Sequence, residues 1–361
     1  MNIVEIITNQ NFLGAVCSTI IVIMLAFFLR RKNVIKDEAK HVISGLVLKL
    51  GLPAMAFSAF MTDLDMTELK SNVQVLILGL ICYLLLIFLS YFVFKIGFKN
   101  MSKDKKEVLQ MIIIFGNCTF FSIPIMEGYY GDSIKIPEYL IIVSFRLFLY
   151  TYAFFVMSGS KVDKGNIKES AKKFLLNPIV LATFLGILIW TLQNVLPQVS
   201  ITDEETLETV SYCIFRIDKT IPFIYKPILY LSKMTTPLSW ILVGITIGEM
   251  PFKQAFKNIS VWLISLVRVI LVPALILGFV VLLQYLGLTQ LTKFGFAACV
   301  LTMAGPLSVV INSYAVEYDK EQYFVSDTSL ISTLMAMISM PMMLVIVEII
   351  SSTPLFNWFY Q

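Results

Sequence analysis

The sequence predicts an all-α integral membrane protein of ten transmembrane helices, arranged as two inverted five-helix repeats. Three observations carry that reading. Of 361 residues, 58% are hydrophobic and 14% charged, with net charge +4, whereas a soluble domain runs near 45–50% and about 25%. The apolar residues fall in long, nearly uncharged blocks, which fit spanning helices and not the short alternating strands of a barrel. Lysine and arginine are distributed asymmetrically between the loops. Of the 28, 18 lie in the loops after the first, third, fifth, seventh and ninth blocks, six lie in the other loops, and four lie inside blocks. That asymmetry puts both termini outside and the basic loops inside.

The blocks are Asn11–Leu29, His41–Met61, Asn72–Phe94, Val108–Tyr130, Ile136–Ser158, Phe174–Gln193, Lys226–Glu249, Ser260–Gln284, Phe294–Val316 and Val325–Ile350. The first has no positive residue before it and Arg30-Arg31-Lys32 after it. A cleaved leader carries its charge in the opposite order, so this is a first span. A basic linker, 161–173, separates the first repeat, 1–160, from the second, 174–361. With an odd number of spans per half, the second half inserts upside down, as in many secondary transporters. Spans 2 and 7 share Lys-x-x-x-Pro, at Lys49–Pro53 and Lys233–Pro237. In the long outer loop, Thr202 and Glu205 form a capping-box pattern. Leu207, Val210, Ile214 and Ile217 then recur at helical spacing, which fits a short amphipathic helix at the outer interface; an ordinary structured loop is the other reading.

Composition excludes several classes. The five cysteines include no CxxC pair, and His41 is the one histidine, so neither a metal centre nor a His-based triad is expected. Walker-A and GxGxxG loops are absent from the sequence. No cofactor, enzymatic activity or nucleic-acid partner is expected. The partners are the lipid bilayer of the plasma membrane and a small solute.

The chemistry concentrates in spans 4 and 9. Span 4 holds Gly116-Asn117-Cys118-Thr119-Phe120-Phe121-Ser122-Ile123-Pro124, and span 9 holds Gly305-Pro306-Leu307-Ser308 followed by Asn312-Ser313. Proline next to glycine and asparagine should unwind each helix. Unwound backbone at membrane depth lines a protein-enclosed site or a cavity. Half-helices starting near Pro124 and Pro306 would direct positive dipole ends at an anion. Asn117 and Asn312 are the first candidates for substrate contact; Thr119, Ser122, Ser308 and Ser313 are secondary. Ionisable residues inside spans are functional candidates by default. Lys49, Lys233, Arg146 and Arg268 are candidates for attracting an anion, and Asp327 and Glu127 for proton coupling.

Several motifs resemble those of the auxin efflux carrier family, bacterial branch. They are GNCTFFSIP in span 4, Gly51 with Pro53 in span 2, and Asn177-Pro178 at span 6. Pro237 with Gly244 and Gly248, Ala304-Gly305-Pro306 with Asn312, and Leu330–Pro341 follow in order. The family often has paired prolines in span 9, and here Gly305 takes one place. The resemblance implies broken helices 4 and 9 crossing near the midplane. It implies a moving unit of spans 3–5 and 8–10 on a scaffold of spans 1, 2, 6 and 7, in a homodimer. It also implies a secondary transporter of small organic anions, auxin in plants and malate-like carboxylates in bacteria. Two other readings are a sensor on a transporter fold and a cation/proton antiporter. The antiporter needs buried carboxylates at the crossing, where spans 4 and 9 offer asparagine.

Overall fold

The computed structural model describes residues 10–64, 66–98, 100–159, 168, 171–172, 175–202, 209–249 and 255–356. Most of the basic linker lies outside these. Six described helical stretches are long and apolar enough to cross a bilayer: Glu38–Ala59, Leu69–Gly97, Cys118–Ser158, Pro222–Glu249, Ile259–Tyr285 and Gln322–Ser351. Pro178–Leu192 and Lys293–Met303 are shorter apolar helices. This is a multi-pass membrane protein.

Helix α1 is Gln10–Arg31; its C-terminal Arg30 and Arg31 suit the negative end of the helix dipole. Next come α2 (Asp37–Leu46) and α3 (Leu52–Ala59), joined by a π turn at Val47–Gly51. Then follow α4 (Met66–Gly97), α5 (Lys103–Ile114), a π turn at Cys118–Ser122, and α6 (Ile123–Tyr130). A tight turn, Gly131–Ile134, leads into α7 (Lys135–Phe148), then a π turn at Leu149–Ala153 and α8 (Phe154–Ser158). Helix α9 is Pro178–Leu192 and α10 is Pro222–Glu249. The rest comprises α11 (Ile259–Leu266), a π turn at Val267–Leu271, α12 (Val272–Tyr285), α13 (Lys293–Met303), α14 (Val309–Glu317) and α15 (Gln322–Ser351).

Three of the π turns end two residues before a proline: Gly51 before Pro53, Ser122 before Pro124, and Leu271 before Pro273. Proline has no N–H to return to the carbonyl four residues back, and one extra residue in the turn absorbs the mismatch without ending the helix. Pro124 is therefore inside a continuing helix. The break expected there lies earlier, at 115–117.

Small residues set the close approaches. On α10, a Cβ at Gly244 would meet Ala26 and the Ile23 backbone of α1, and one at Gly248 would meet Arg30. This is the small-xxx-small packing of membrane helices. Arg30 and Lys40 both pair with Glu249, at 3.4 and 2.7 Å, and so tie α1, α2 and α10 at one end.

The outer loop differs from the sequence expectation. Gln198–Thr202 (β1) pairs antiparallel with Thr209–Cys213 (β2), so Val210 lies in a strand rather than in the expected helix, while Glu205 and Leu207 lie outside the described residues. Val199, Ile201, Thr202, Thr209 and Val210 are β-branched, which favours an extended pleat. The cysteine of this loop, Cys213, is only 2% exposed. Arg216 anchors the hairpin by donating to Asp63 (2.7 Å), Asp218 (2.9 Å) and Gln193 (2.9 Å).

Candidate functional site

The chain between α5 and the Cys118 turn is extended, as is the chain between α13 and α14. The two extended segments pair. Asn117 N–H donates to Pro306 O at 2.6 Å and Ser308 N–H donates to Phe115 O at 3.0 Å, an isolated antiparallel bridge of Gly116 with Leu307. Leu307 N–H donates to Ser332 Oγ at 3.1 Å. Spans 4 and 9 thus cross at their breaks, and each satisfies backbone groups the other has exposed.

Arg268 completes the crossing. It is 0% exposed. Its Nε donates to Gly305 O (3.1 Å), Nη1 to Ile113 O (2.7 Å) and Nη2 to Met303 O (3.0 Å). The planar guanidinium reaches the unpaired carbonyls on both sides of the crossing, a geometry a lysine cannot reproduce. As an anion attractor, its expected role, Arg268 has all three of its nitrogens already bonded to carbonyl oxygens.

The glycines fit this arrangement. A Cβ at Gly116 would collide with the Arg268 guanidinium, and one at Gly305 would press on Ser122 Oγ and the Asn117 carbonyl. Gly116→Ala is expected to lower stability by about 1–3 kcal/mol through overpacking. Thermal unfolding in detergent measures this, and an unchanged melting temperature would mean that Arg268 has room to retreat.

Two adjoining cavities flank the crossing. The larger, about 470 Å³, is a vestibule walled by His41 and Ser44 of α2, Leu242 and Thr246 of α10, Phe120, Asn312 and Ser313 of α14, and Ser329 of α15. The smaller, about 190 Å³, lies against the crossing itself and is lined by Gly116, Asn117, Thr119, Phe145, Arg146, Tyr150 and Ser308. Ser44, Phe120, Val309 and Ser313 line both. Asn117 and Asn312 therefore face neighbouring compartments rather than one pocket.

Within the small cavity, Asn117 caps the following helix: its Oδ1 accepts from Phe120 N–H at 3.2 Å. The remaining N–H donors of that amide are available to a ligand. Arg146 is 3% exposed and donates to Thr119 Oγ1 and Tyr150 Oη, both at 2.9 Å. Its Nε has no partner, and no carboxylate pairs with it among the described residues. Tyr150 Oη also accepts from Asn177 Nδ2 at 3.1 Å. With two donors on that oxygen, the phenol proton is left to point elsewhere. Asn312 Oδ1, on the vestibule, is buried and unpartnered.

The other candidates lie apart from these cavities. Pro306 and Gly305 are in the crossing, and Ser122 is buried beneath Gly305. Pro124 sits inside α6. Lys49 and Lys233 are on exposed faces of spans 2 and 7 and line neither cavity. Asp327 is half-buried near the start of α15, and Glu127 is near the end of α6. Tyr150, Ser44 and Phe120 were not singled out from the sequence. Tyr150 follows Arg146 by four residues, the spacing that brings helical side chains together.

An uncharacterized transporter of Methanocaldococcus jannaschii is 21% identical over 268 residues, covering 73% of this chain and 77% of the relative. The membrane transport protein family model matches residues 11–344. The chain is a multi-pass membrane protein with a transport role, and it belongs to that membrane transport family, the auxin efflux carriers whose motifs it carries.

Proposed function

We propose that the protein is a secondary transporter of small organic anions, malate-like or related carboxylates. In this reading it is built of two inverted five-helix repeats, 1–160 and 174–361, and works by alternating access in the plasma membrane, with both termini outside. The observation that carries it is Arg146. A buried guanidinium without a carboxylate is costly, and this one lies on the wall of a cavity among neutral groups, bonded to the Thr119 and Tyr150 hydroxyls and lying over the Phe145 and Tyr150 rings. Two helix N-termini open onto the same cavity, at Cys118 and Val309. Each contributes roughly half a positive charge. An incoming carboxylate supplies the missing counter-charge.

The volume fits a small solute. Phe145, Val309 and Val310 supply apolar wall beside the polar groups, as in most small-molecule sites. The vestibule lies between spans 2 and 7 on one side and spans 4, 9 and 10 on the other. That boundary is where a moving unit would slide against a scaffold in an elevator-type cycle. The homodimer is taken from the resemblance. A cation/proton antiporter is less well supported, because the crossing presents Asn117 and an arginine, and no acid.

The test is uptake into proteoliposomes with a panel of labelled mono- and dicarboxylates, an amine and a neutral sugar. Saturable uptake of at least one carboxylate is expected, with none of the amine. Uptake of the amine alone, or of no carboxylate, overturns the reading.

A further inference from the structure

A second ionisable cluster lies away from the crossing, at the other end of α7. Glu138 is the fourth residue of that helix and is 0% exposed. Neither of its carboxyl oxygens has a hydrogen-bond partner among the described residues. It thus breaks the rule that buried polar atoms are bonded. A charge there would be cut off from bulk solvent and without a described partner, so the neutral acid is the form the site accommodates.

The surrounding groups fit proton binding better than a structural ion pair. The charged groups close enough to act on Glu138 are Glu127 of α6 and Lys135 of its own helix. Lys135 is already engaged by Asp132, at 2.6 Å. Glu127 has one buried oxygen that is also unpartnered, and the hydroxyl of the neighbouring Tyr139 is buried and unpartnered as well. The turn Gly131–Ile134 joins the helices that carry the two acids. That turn, with Lys135, forms part of a cavity of about 430 Å³ whose wall includes Asp63, Asp132, Ser133 and Trp190. Asp132 and Lys135, on that wall, stand in sequence between the two acids, Glu127 and Glu138.

The same helix carries Arg146, eight residues further on, about 12 Å along its axis. Helix α7 packs on α3 and α9, which the alternating-access reading assigns to the scaffold. Sliding α7 past them changes what water reaches Glu138 and what reaches Arg146 together.

We propose that Glu138, with Glu127 beside it, is a proton-binding site whose loading is coupled to carriage of the anion. A proton from the cavity bonds to a Glu138 carboxylate oxygen, and that O–H bond breaks when the site opens to the other side. One proton is carried and no other bond changes. The coupling half of this proposal rests on the carboxylate reading; the proton-binding half does not.

Two measurements separate those halves. Infrared difference spectra of the purified protein in lipid, taken across a pH titration, should show the C=O stretch of a buried protonated carboxyl. Glu138→Gln should remove that band. The amide is as neutral and nearly as large as the acid, so the variant should fold. A band that is absent, or unchanged in Glu138→Gln, overturns the proton site whether or not any carboxylate is carried. In proteoliposomes holding a pH-sensitive dye, carboxylate uptake should move protons with it, and a pH gradient should accelerate it severalfold. Glu138→Gln should keep carboxylate binding in detergent while losing both the dye signal and the acceleration. Carboxylate uptake without proton movement in the unaltered protein overturns the coupling and leaves the carboxylate reading standing. No carboxylate uptake at all overturns that reading and the coupling with it, while the infrared result still decides the proton site.

Discussion

Arg268→Ala is expected to be the most damaging single substitution in the chain. It strips a side-chain donor from each of Ile113 O, Gly305 O and Met303 O. Each buried carbonyl left unsatisfied costs about 1–3 kcal/mol, so the total is on the order of 5 kcal/mol or more. That is a large share of the ~5–15 kcal/mol by which a typical protein is stable. The two breaks would then lose the brace that supplements their two backbone bonds, and most of the protein should aggregate or be degraded. Arg268→Lys should be intermediate, because one ammonium cannot span three carbonyls on two chain segments. Fluorescence-detected size exclusion and thermal unfolding in detergent read both effects. Were Arg268 acting mainly by attracting the anion, Arg268→Ala would fold normally and lose only affinity. A wild-type melting temperature in that variant would refute the clamp.

The membrane class and the two breaks were legible in the sequence for a simple reason. Long apolar blocks and Gly-Asn or Gly-Pro pairs act locally, without any help from the fold. What the breaks do for each other was not legible. Pro124 looked like the break point because a proline removes a donor, yet a π turn absorbs that loss and the chain opens at Phe115–Asn117 instead. Sequence cannot say which of these two remedies a helix adopts. Arg146 and Arg268 look alike along the chain, as lone cations in apolar spans. Their different settings depend on how each helix is turned toward its neighbours. The outer loop failed for another reason. Leu207, Val210, Ile214 and Ile217 fit a helical period, but the flanking β-branched residues fit alternation equally well, and short windows of this kind are ambiguous. Glu138 stands beside Pro137 at the start of a span, where a solvated end residue is the ordinary expectation, so its burial came only with the fold.

Arg146→Met is expected to separate binding from stability, with the opposite balance to Arg268→Ala. Arg146 is buried among neutral oxygens, with Thr119 and Tyr150 as its partners and no ion pair among the described residues. Removing a buried, uncompensated charge and filling its space with an apolar side chain is often neutral or stabilising. The ligand-free melting temperature should therefore hold or rise. Affinity should fall steeply. A charge-assisted hydrogen bond is worth about 1.5–3 kcal/mol, which is roughly a tenfold to hundredfold loss of carboxylate affinity at 1.4 kcal/mol per decade. Tyr150→Phe keeps the cation but removes the phenol on which Arg146 and Asn177 converge. It should give a smaller loss that is confined to ligands able to accept a hydrogen bond. Equilibrium binding of a labelled carboxylate in detergent, run beside a thermal melt of each empty variant, reads both quantities. If Arg146→Met destabilises the empty protein as much as Arg268→Ala does, then Arg146 is another internal brace and the anion site lies elsewhere. If affinity is unchanged while the melt is normal, the carboxylate does not meet this arginine.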